Sequence, residues 1–178
     1  MFTFLQRICI YLLIISFFSS CEKEKVEDAN RIKIYTGPVA IAENVETVYS
    51  DSARLKLSIK APLQTEFQTG DREFPKGIEI EFYSLEGKKT TRLTANYARY
   101  DKQAAIYIGI GNVVVENFKE KQKMQSEELK FNHIEKTIFT DKFVRVTTPT
   151  DVMTGDGLTA NQDFSSYKIK RPRIAASR

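Results

Sequence analysis

The sequence predicts an all-β protein, and three features of its residue pattern support that class. Apolar and polar residues alternate with a period of two in most of the chain after residue 30, which is typical of strands with one buried face. Short polar or glycine-containing segments separate the alternating runs and indicate turns. No window of helical length has a clear apolar period of 3.6, so helices are not expected.

The first 20 residues differ from the rest of the chain and are typical of a secretory signal peptide. Arg7 is their one ionisable residue, and an apolar run from Ile8 to Phe18 follows it. That run is too short for a bilayer-spanning helix, which needs about 20 apolar residues. A short basic start, such a run and then small residues form an export signal. We therefore expect residues 1–20 to be removed.

Cys21 follows directly, in the stretch FSSC, which resembles a bacterial lipobox. In that motif the cysteine receives a diacylglycerol and becomes the first residue of the mature protein; Phe18 stands here where leucine is usual. Cys9 would leave with the signal, so no internal disulfide and no cysteine-rich metal site is expected. Two acyl chains on Cys21 would hold the protein on a membrane. The alternative is an ordinary signal peptide, or a short membrane anchor, that happens to contain a cysteine.

The remaining chain divides into a tether, one β domain and a tail. Residues 21–30 are charged without an apolar period and are expected to be a tether. The β domain is predicted over residues 31–170, and residues 171–178 are expected to be a basic, disordered tail. We expect Pro172 to stop any strand beyond Lys170, because proline lacks an N–H. The alternative for the tail is contact with phosphate or an anionic membrane surface.

The alternating runs identify which side chains should point inward. In RLKLSIK, GIEIEFYS and KFVRVTT, apolar residues recur at every second position, so each run places them on one face of a strand. Polar segments such as YSDSAR, SLEGKK, YDKQAA, FNHIEK and NQDFSS lie between the runs and predict turns. The residues expected to face inward are Leu55, Leu57, Ile59, Ile80, Phe82, Leu93, Phe131, Phe139, Val144 and Val146.

A diffuse internal repeat predicts how the strands assemble. The segment that starts at Leu93 aligns without gaps with the segment that starts at Met124, and Val115 then falls on Val146. Each unit reads strand, turn, strand, which indicates stacked hairpins. Hairpins bury an apolar face only by folding into two facing sheets or one curled sheet. The prediction is an open β-jellyroll, a V- or U-shaped trough of antiparallel strands, with the glycines of YIGIGNVVV at a bulge or bend.

The chain offers few groups for catalysis or for binding a metal or cofactor. His133, the one histidine, is expected in a solvent-exposed polar turn, and GIGNVV lacks the third glycine of a dinucleotide site. DVMTGDGL lacks the spacing of a calcium loop and is expected to be a hairpin turn. We therefore expect no enzyme, metal, cofactor or nucleic-acid partner. An extracytoplasmic enzyme or sugar-binding module is the disfavoured alternative, since no acid/base pair or aromatic platform stands out.

Several long stretches together resemble the LptC family of lipopolysaccharide export proteins, in its Bacteroidetes-type form. They include DREFPKGIEIEFYSLEGKKTTRLTANYARYD, GNVVVEN and TDKFVRVTTPTDVMTGDGLTANQDFSSYKI, and the resemblance covers Ala42 to Ile169. It implies a periplasmic, OstA-like β-jellyroll that accepts lipopolysaccharide from the permease subunits of an inner-membrane ABC transporter. The lipid would pass to a bridge protein of the same jellyroll type and on to the outer membrane. Better-known members have an N-terminal transmembrane helix, whereas this chain would be anchored, we expect at the inner membrane, through Cys21.

The resemblance also implies roles for the inward residues and for the sheet edges. The inward residues would form an apolar trough for acyl chains, with RIKIYTG and FSSYKIK as edge strands that dock on partners by β-augmentation. The alternative from the residues alone is a closed sandwich whose core these side chains simply fill. That alternative corresponds to a structural lipoprotein adaptor that only recruits envelope partners.

Overall fold

The computed structural model describes residues 35–173, which form eleven antiparallel strands in one sheet. This confirms the all-β prediction. The predicted signal peptide, Cys21, the tether and residues 174–178 lie outside the described residues. The strands are β1 (Pro38–Asp51), β2 (Arg54–Phe67), β3 (Arg72–Phe74), β4 (Ile78–Tyr83), β5 (Lys89–Ala95), β6 (Tyr97–Asp101), β7 (Ile106–Asn117), β8 (Gln122–Asn132), β9 (Thr137–Thr147), β10 (Val152–Asn161) and β11 (Tyr167–Arg173).

The predicted turns lie between strands, as expected. Polar residues, glycine and residues with positive φ allow the chain to reverse there. Hydrogen bonds within the turns replace those of the ladder, as where the amide of Gly87 donates to the carbonyl of Ser84 at 3.1 Å. The five segments are residues 52–53, 84–88, 102–105, 133–136 and 162–166.

The sheet divides into two branches between β2 and β7. The N-terminal half of β2 pairs with β4, which leads through β5 to the C-terminal half of β7. The C-terminal half of β2 pairs with β3, which leads through β6 to the N-terminal half of β7. We call the branch through β4 and β5 wall 1 and the branch through β3 and β6 wall 2. Each of the strands β8 to β10 contributes one half to each wall.

Irregularities in the strand register mark the line where the long strands pass from one wall to the other. They lie between Ile110 and Val113 in β7, between Ser126 and Lys130 in β8, and near Asp156 in β10. Gly111 has φ of 76°, which glycine adopts without steric cost. The predicted bulge in YIGIGNVVV is therefore confirmed, and its role is to fold the sheet back on itself.

Apolar side chains from both walls fill the space between them. Each wall presents continuous cross-strand rows, and these rows merge into a single buried cluster. Val115 and Val146, which the repeat equates, lie in the same row on either side of Met124. The two facing walls confirm the jellyroll. Wall 1 has the row Ile59, Ile80, Leu93, Val115, Met124 and Val146, and wall 2 the row Tyr100, Tyr107, Phe131, Ile138 and Ala160.

The turn between β10 and β11 closes part of the opening between the free ends of the two walls. We call residues 162–166 the clasp. The carbonyl of Asp163 accepts hydrogen bonds from Thr91 Oγ1 and Asn117 Nδ2, both at 2.8 Å and both from wall 1. Phe164 is 0% exposed and its ring stacks on Tyr167 at 5.1 Å. The clasp therefore joins a turn of wall 2 to wall 1 by polar and apolar contacts.

Both predicted edge strands need correction in their bounds. β11 continues through Pro172 to Arg173, with Pro172 opposite Gly155, so the sheet extends beyond the predicted boundary at residue 170. An edge strand accepts proline where the missing N–H would point away from its neighbour. At the other end the edge strand begins at Pro38. The described part of RIKIYTG, residues 35–37, precedes that strand.

The segment DVMTGDGL is part of a strand, so its interpretation as a hairpin turn was wrong. β10 runs through it, and Gly155 and Gly157 lie inside the strand. A Cβ at position 155 would lie 2.5 Å from the carbonyl oxygen of Arg171. The glycine therefore serves the close approach of β10 to β11 rather than a chain reversal.

We predict that the clasp contributes strongly to stability through Phe164. Phe164→Ala should lower the free energy of unfolding by about 3–5 kcal/mol, because it removes a fully buried aromatic side chain. Phe143→Ala is the matched control, since Phe143 is an exposed phenylalanine of β9 and its loss should cost less than about 1 kcal/mol. Chemical denaturation of the two variants measures the difference. Equal destabilisation would show that the clasp is not a structural closure.

Candidate functional site

One concave site is an open cavity of about 540 Å³ between the two walls, next to the start of β2. This volume lies in the range of small-molecule and lipid pockets. Wall 1 contributes the apolar side chains of Leu57, Ile59 and Phe82. Wall 2 contributes Tyr107 and His133, so both walls supply its surface. Asp51, Lys56, Lys136 and Gln162 are among the polar residues around it.

The inner end of the cavity is closed by an aromatic contact across the walls. Phe82 and Phe131 meet edge to face, with ring centroids 5.2 Å apart, a favoured aromatic geometry. Behind them, a void of about 10 Å³ is lined by residues that include Ile80, Leu93 and Leu129. A void of this size holds at most one water molecule. The interior beyond the aromatic contact is therefore filled by side chains.

The predicted inward residues fall into two groups in the structure. Leu57, Ile59 and Phe82 line the cavity, and they are where the jellyroll has room for a ligand. A second group lies in the filled interior, where its members are at most 4% exposed. Leu55 is half-buried near the start of β2 and belongs to neither group. The filled group consists of Ile80, Leu93, Phe131, Val144 and Val146.

Phe139 does not point inward, so that prediction was wrong. Its neighbours Ile138 and Thr140 are buried at 0% and 1% exposure, which places Phe139 on the opposite, outer face of β9. Its cross-strand partners Lys130 and Thr159 lie on that face too. The alternation that includes Val144 and Val146 places the side chains at positions 138 and 140 on the inner face. Position 139 is out of phase with that alternation, so Phe139 points outward.

His133 lies in the predicted turn but is not fully exposed to solvent, which corrects its expected environment. It is half-buried, its ring stacks on Tyr100 with centroids 5.8 Å apart, and its Nε2 lies 3.4 Å from the Tyr100 hydroxyl. Burial and the nearby Arg72 guanidinium lower the pKa of His133. The local polar sequence gave no sign of this contact, because Tyr100 comes from strand β6, 33 residues away.

An aromatic cluster beside the cavity was not expected from the sequence. Tyr100 and Tyr107 are cross-strand neighbours on the inner face of wall 2, with ring centroids 4.5 Å apart. Burial raises the pKa of the Tyr107 hydroxyl, and Tyr49 adds to the rise. The hydroxyl is therefore protonated at neutral pH and can donate a hydrogen bond. Alternation in "TANYARYD" would have identified Tyr100, because Ala98 and Tyr100 share a face.

The outer face of wall 1 carries a compact polar cluster around Glu81. The Glu81 side chain is 4% exposed and forms an ion pair with Lys89. Tyr83 also donates a hydrogen bond to it at 2.9 Å. Burial by itself raises the pKa of the Glu81 carboxyl, but the contacts with Lys89 and Tyr83 outweigh burial and lower it. This cluster stabilises the outer face of wall 1 at Glu81, and its Tyr83 also lies at the rim of the cavity.

Two strands are bordered by one neighbouring strand only, within the described residues. β1 pairs with β2 alone and β11 with β10 alone. Val39, Ile41 and Val48 of β1 are more than half exposed. A long strand edge with exposed apolar residues is a surface onto which another strand can add.

Residues 35–173 contain no helix that could span a membrane. In the same part of the chain, no three His, Cys, Asp or Glu side chains come together in a group that could hold a metal ion. The lining of the cavity offers apolar surface, aromatic rings, hydroxyl groups, the cations of Lys56 and Lys136 and the carboxylate of Asp51.

Comparison with known proteins gives one match and one negative result. No curated protein matches the chain. A family model described as "Lipopolysaccharide-assembly, LptC-related" matches residues 8–171, which includes nearly all of the jellyroll, the cavity and both sheet edges. The chain belongs to the LptC family of lipopolysaccharide-assembly proteins.

Proposed function

We propose that this protein accepts lipopolysaccharide from an inner-membrane ABC transporter and passes it along a bridge of jellyrolls to the outer membrane. Family membership implies a role in lipopolysaccharide transport and in the periplasmic envelope. The observation that carries the finer proposal is the cavity between the walls, with its apolar surface of Leu57, Ile59 and Phe82. Each acyl CH₂ that moves from water onto such a surface contributes about 0.8 kcal/mol.

Transfer requires more room than the cavity provides, so the two walls part in this proposal. The Phe82–Phe131 contact and the clasp are two of the contacts that hold the walls together next to the cavity and at the free ends. Neither contact is covalent. A lipid that enters beside Leu57 would displace Phe82 from Phe131 and extend its acyl chains over the rows of wall 1.

The outer edges of β1 and β11 bind the neighbouring proteins in this proposal, and the two strands differ in the sign of their charge. β1 contains Glu43, Glu46 and Asp51 and no basic residue. β11 contains four basic residues and no acidic one, namely Lys168, Lys170, Arg171 and Arg173. An acidic edge attracts a partner with a basic surface, and a basic edge attracts a partner with an acidic surface. We propose that β1 docks on the periplasmic part of the transporter and β11 on the bridge protein.

The anchor completes the proposal. A lipidated Cys21 would hold the domain at the periplasmic face of the inner membrane, next to the transporter. Cys21 lies outside the described residues, so its lipidation stays a prediction from the sequence.

We predict that lipopolysaccharide is captured from the inside of the jellyroll only. A photoreactive benzoylphenylalanine in place of Phe82, which lines the cavity, should crosslink to lipopolysaccharide in cells. The same replacement of Phe143, an exposed phenylalanine on the outer face of wall 1, is the matched control and should not crosslink. Immunoblotting for lipopolysaccharide on the purified protein measures capture, and capture at Phe82 should depend on ATP in a reconstituted system.

The filled interior supports a second candidate, a structural adaptor that only recruits partners. The void behind Phe131 is only about 10 Å³, which is as small as the voids in a closed core that binds no ligand. In that case neither position captures lipid although partners still bind. Capture at Phe143 as strong as at Phe82 would also contradict transfer through the interior.

We predict that the β11 edge binds the bridge protein through its backbone. Backbone N–H groups alternate in direction along a strand, so those of Lys168 and Lys170 point the same way as the nitrogen of Pro172, away from β10. The double variant Lys168→Pro/Lys170→Pro should keep the fold and lose binding, since it removes outward donors.

The control for that experiment is Lys168→Ala/Lys170→Ala, which removes the same charges and keeps both N–H groups. It should bind more weakly than the natural protein, with a smaller loss of affinity as salt increases. Interferometry with the purified bridge protein at two salt concentrations measures both effects. Unchanged binding by the proline variant would show that the bridge protein binds a surface other than the β11 edge.

A further inference from the structure

Arg72 occupies an unusual position for an arginine, on the inner face of wall 2. Its cross-strand partner in β6 is Tyr100, whose own partner in β7 is the buried Tyr107. The guanidinium lies over the ring of Tyr100, 4.7 Å from its centroid. Such a cation–π contact contributes about 0.5–2 kcal/mol. The side chain is half-buried and is held against the aromatic cluster beside the cavity.

This cation has no acidic partner within residues 35–173. Arg92 pairs with Glu116 at 2.6 Å and Arg173 with Asp156 at 2.8 Å, whereas no carboxylate of the described residues lies within ion-pair distance of Arg72. Glu66 is directly opposite Arg72 across the β2–β3 ladder and still forms no ion pair with it. Contacts with tyrosines, and with no carboxylate of the described residues, offset the partial burial of this cation. The site therefore keeps a net positive charge that attracts an anion.

The groups around Arg72 are tyrosines and a histidine rather than carboxylates. Burial by itself lowers the pKa of the Arg72 guanidinium, but Tyr107 and Tyr49 outweigh burial and raise it. Arg72 itself does not line the open cavity, but Tyr49, Tyr107 and His133, which interact with it, do. An anion in the cavity therefore lies next to this cluster. Lys56 and Lys136 add two cations to the cavity lining, and Asp51 adds one carboxylate.

We propose that Arg72, together with Tyr49 and His133, forms a binding site for a phosphate-class anion at the wall 2 side of the cavity. The planar guanidinium presents paired donors that match a phosphate group. The inference rests on the proposed function for the source of that anion: the phosphate of a lipid headgroup, with the acyl chains on Leu57, Ile59 and Phe82. Inorganic phosphate shares the chemistry and is the other possible source.

The single histidine of the chain reports on this site directly. In the full chain, kept in a non-ionic detergent, NMR titration of His133 with and without inorganic phosphate measures its pKa. Bound phosphate should raise the pKa of His133, because the added negative charge favours the imidazolium form. Arg72→Gln should abolish the rise, and Arg72→Lys should retain part of it. Arg99→Gln is the matched control: Arg99 is an exposed arginine of β6 and this variant should behave as the natural protein.

A second arm identifies the source of the anion. Lipopolysaccharide before and after phosphatase treatment is offered to chains that carry a photoreactive residue at Leu57. The natural site should capture the phosphorylated lipid about 10- to 100-fold better, the range expected for a hydrogen-bonded charge pair. Arg72→Gln should remove this preference, with circular dichroism to verify that the variant folds.

The outcomes separate this inference from the proposed function. A His133 pKa that phosphate does not change, or changes equally in Arg72→Gln, overturns the anion site even if lipid is captured. A phosphate response through Arg72 without a preference among lipids confirms the anion site and overturns the headgroup as its source. If no lipid is captured anywhere, the proposed function fails, and the His133 titration still decides the anion site.

Discussion

Contact between the two walls of one folded sheet is the interaction on which the rest of the structure depends. A single hairpin of this chain has one apolar face and nothing to cover it. The register irregularities in β7, β8 and β10 fold the sheet so that wall 1 covers wall 2. The hydrogen bonds from Thr91 and Asn117 to Asp163 then hold the free ends together. The cavity exists where this contact is incomplete, next to β1 and β2.

In the proposed mechanism, this contact between the walls determines how much free energy lipid binding has to supply. When the walls part, side chains such as Phe164 lose burial, at about 1.5–3 kcal/mol each. A bound acyl chain of about a dozen CH₂ groups offers on the order of 10 kcal/mol in return. In the proposed mechanism, lipid replaces wall-to-wall contact rather than adding to it, and closure of the walls favours release. A jellyroll that closes when empty also keeps its apolar rows away from other proteins.

Alternation along the chain was sufficient to predict most of the strands and turns and most inward residues, but not the part of β10 in DVMTGDGL. It works because the side-chain period of a strand is two regardless of what the strand pairs with. The errors arose where placement depends on residues distant in sequence. The environment of His133 is set by Tyr100, 33 residues away, and the polar sequence of the turn does not reveal it. Pro172 lies in a strand because β11 is an edge, which only the pairing shows. Arg72 was overlooked because a charged residue between polar neighbours suggests solvent, and its contacts come from β1, β6 and β7.

The central claim is that the walls separate to hold lipid. Spin labels introduced as non-natural residues at Lys119, in the turn that ends β7, and at Ser165, in the clasp, report the distance across the opening. Both positions are exposed, so the labels should not disturb the core. Pulsed electron resonance on the full chain should give a short distance without lipid and a longer one when lipopolysaccharide is bound. An unchanged distance in chains that demonstrably hold lipopolysaccharide would contradict the account.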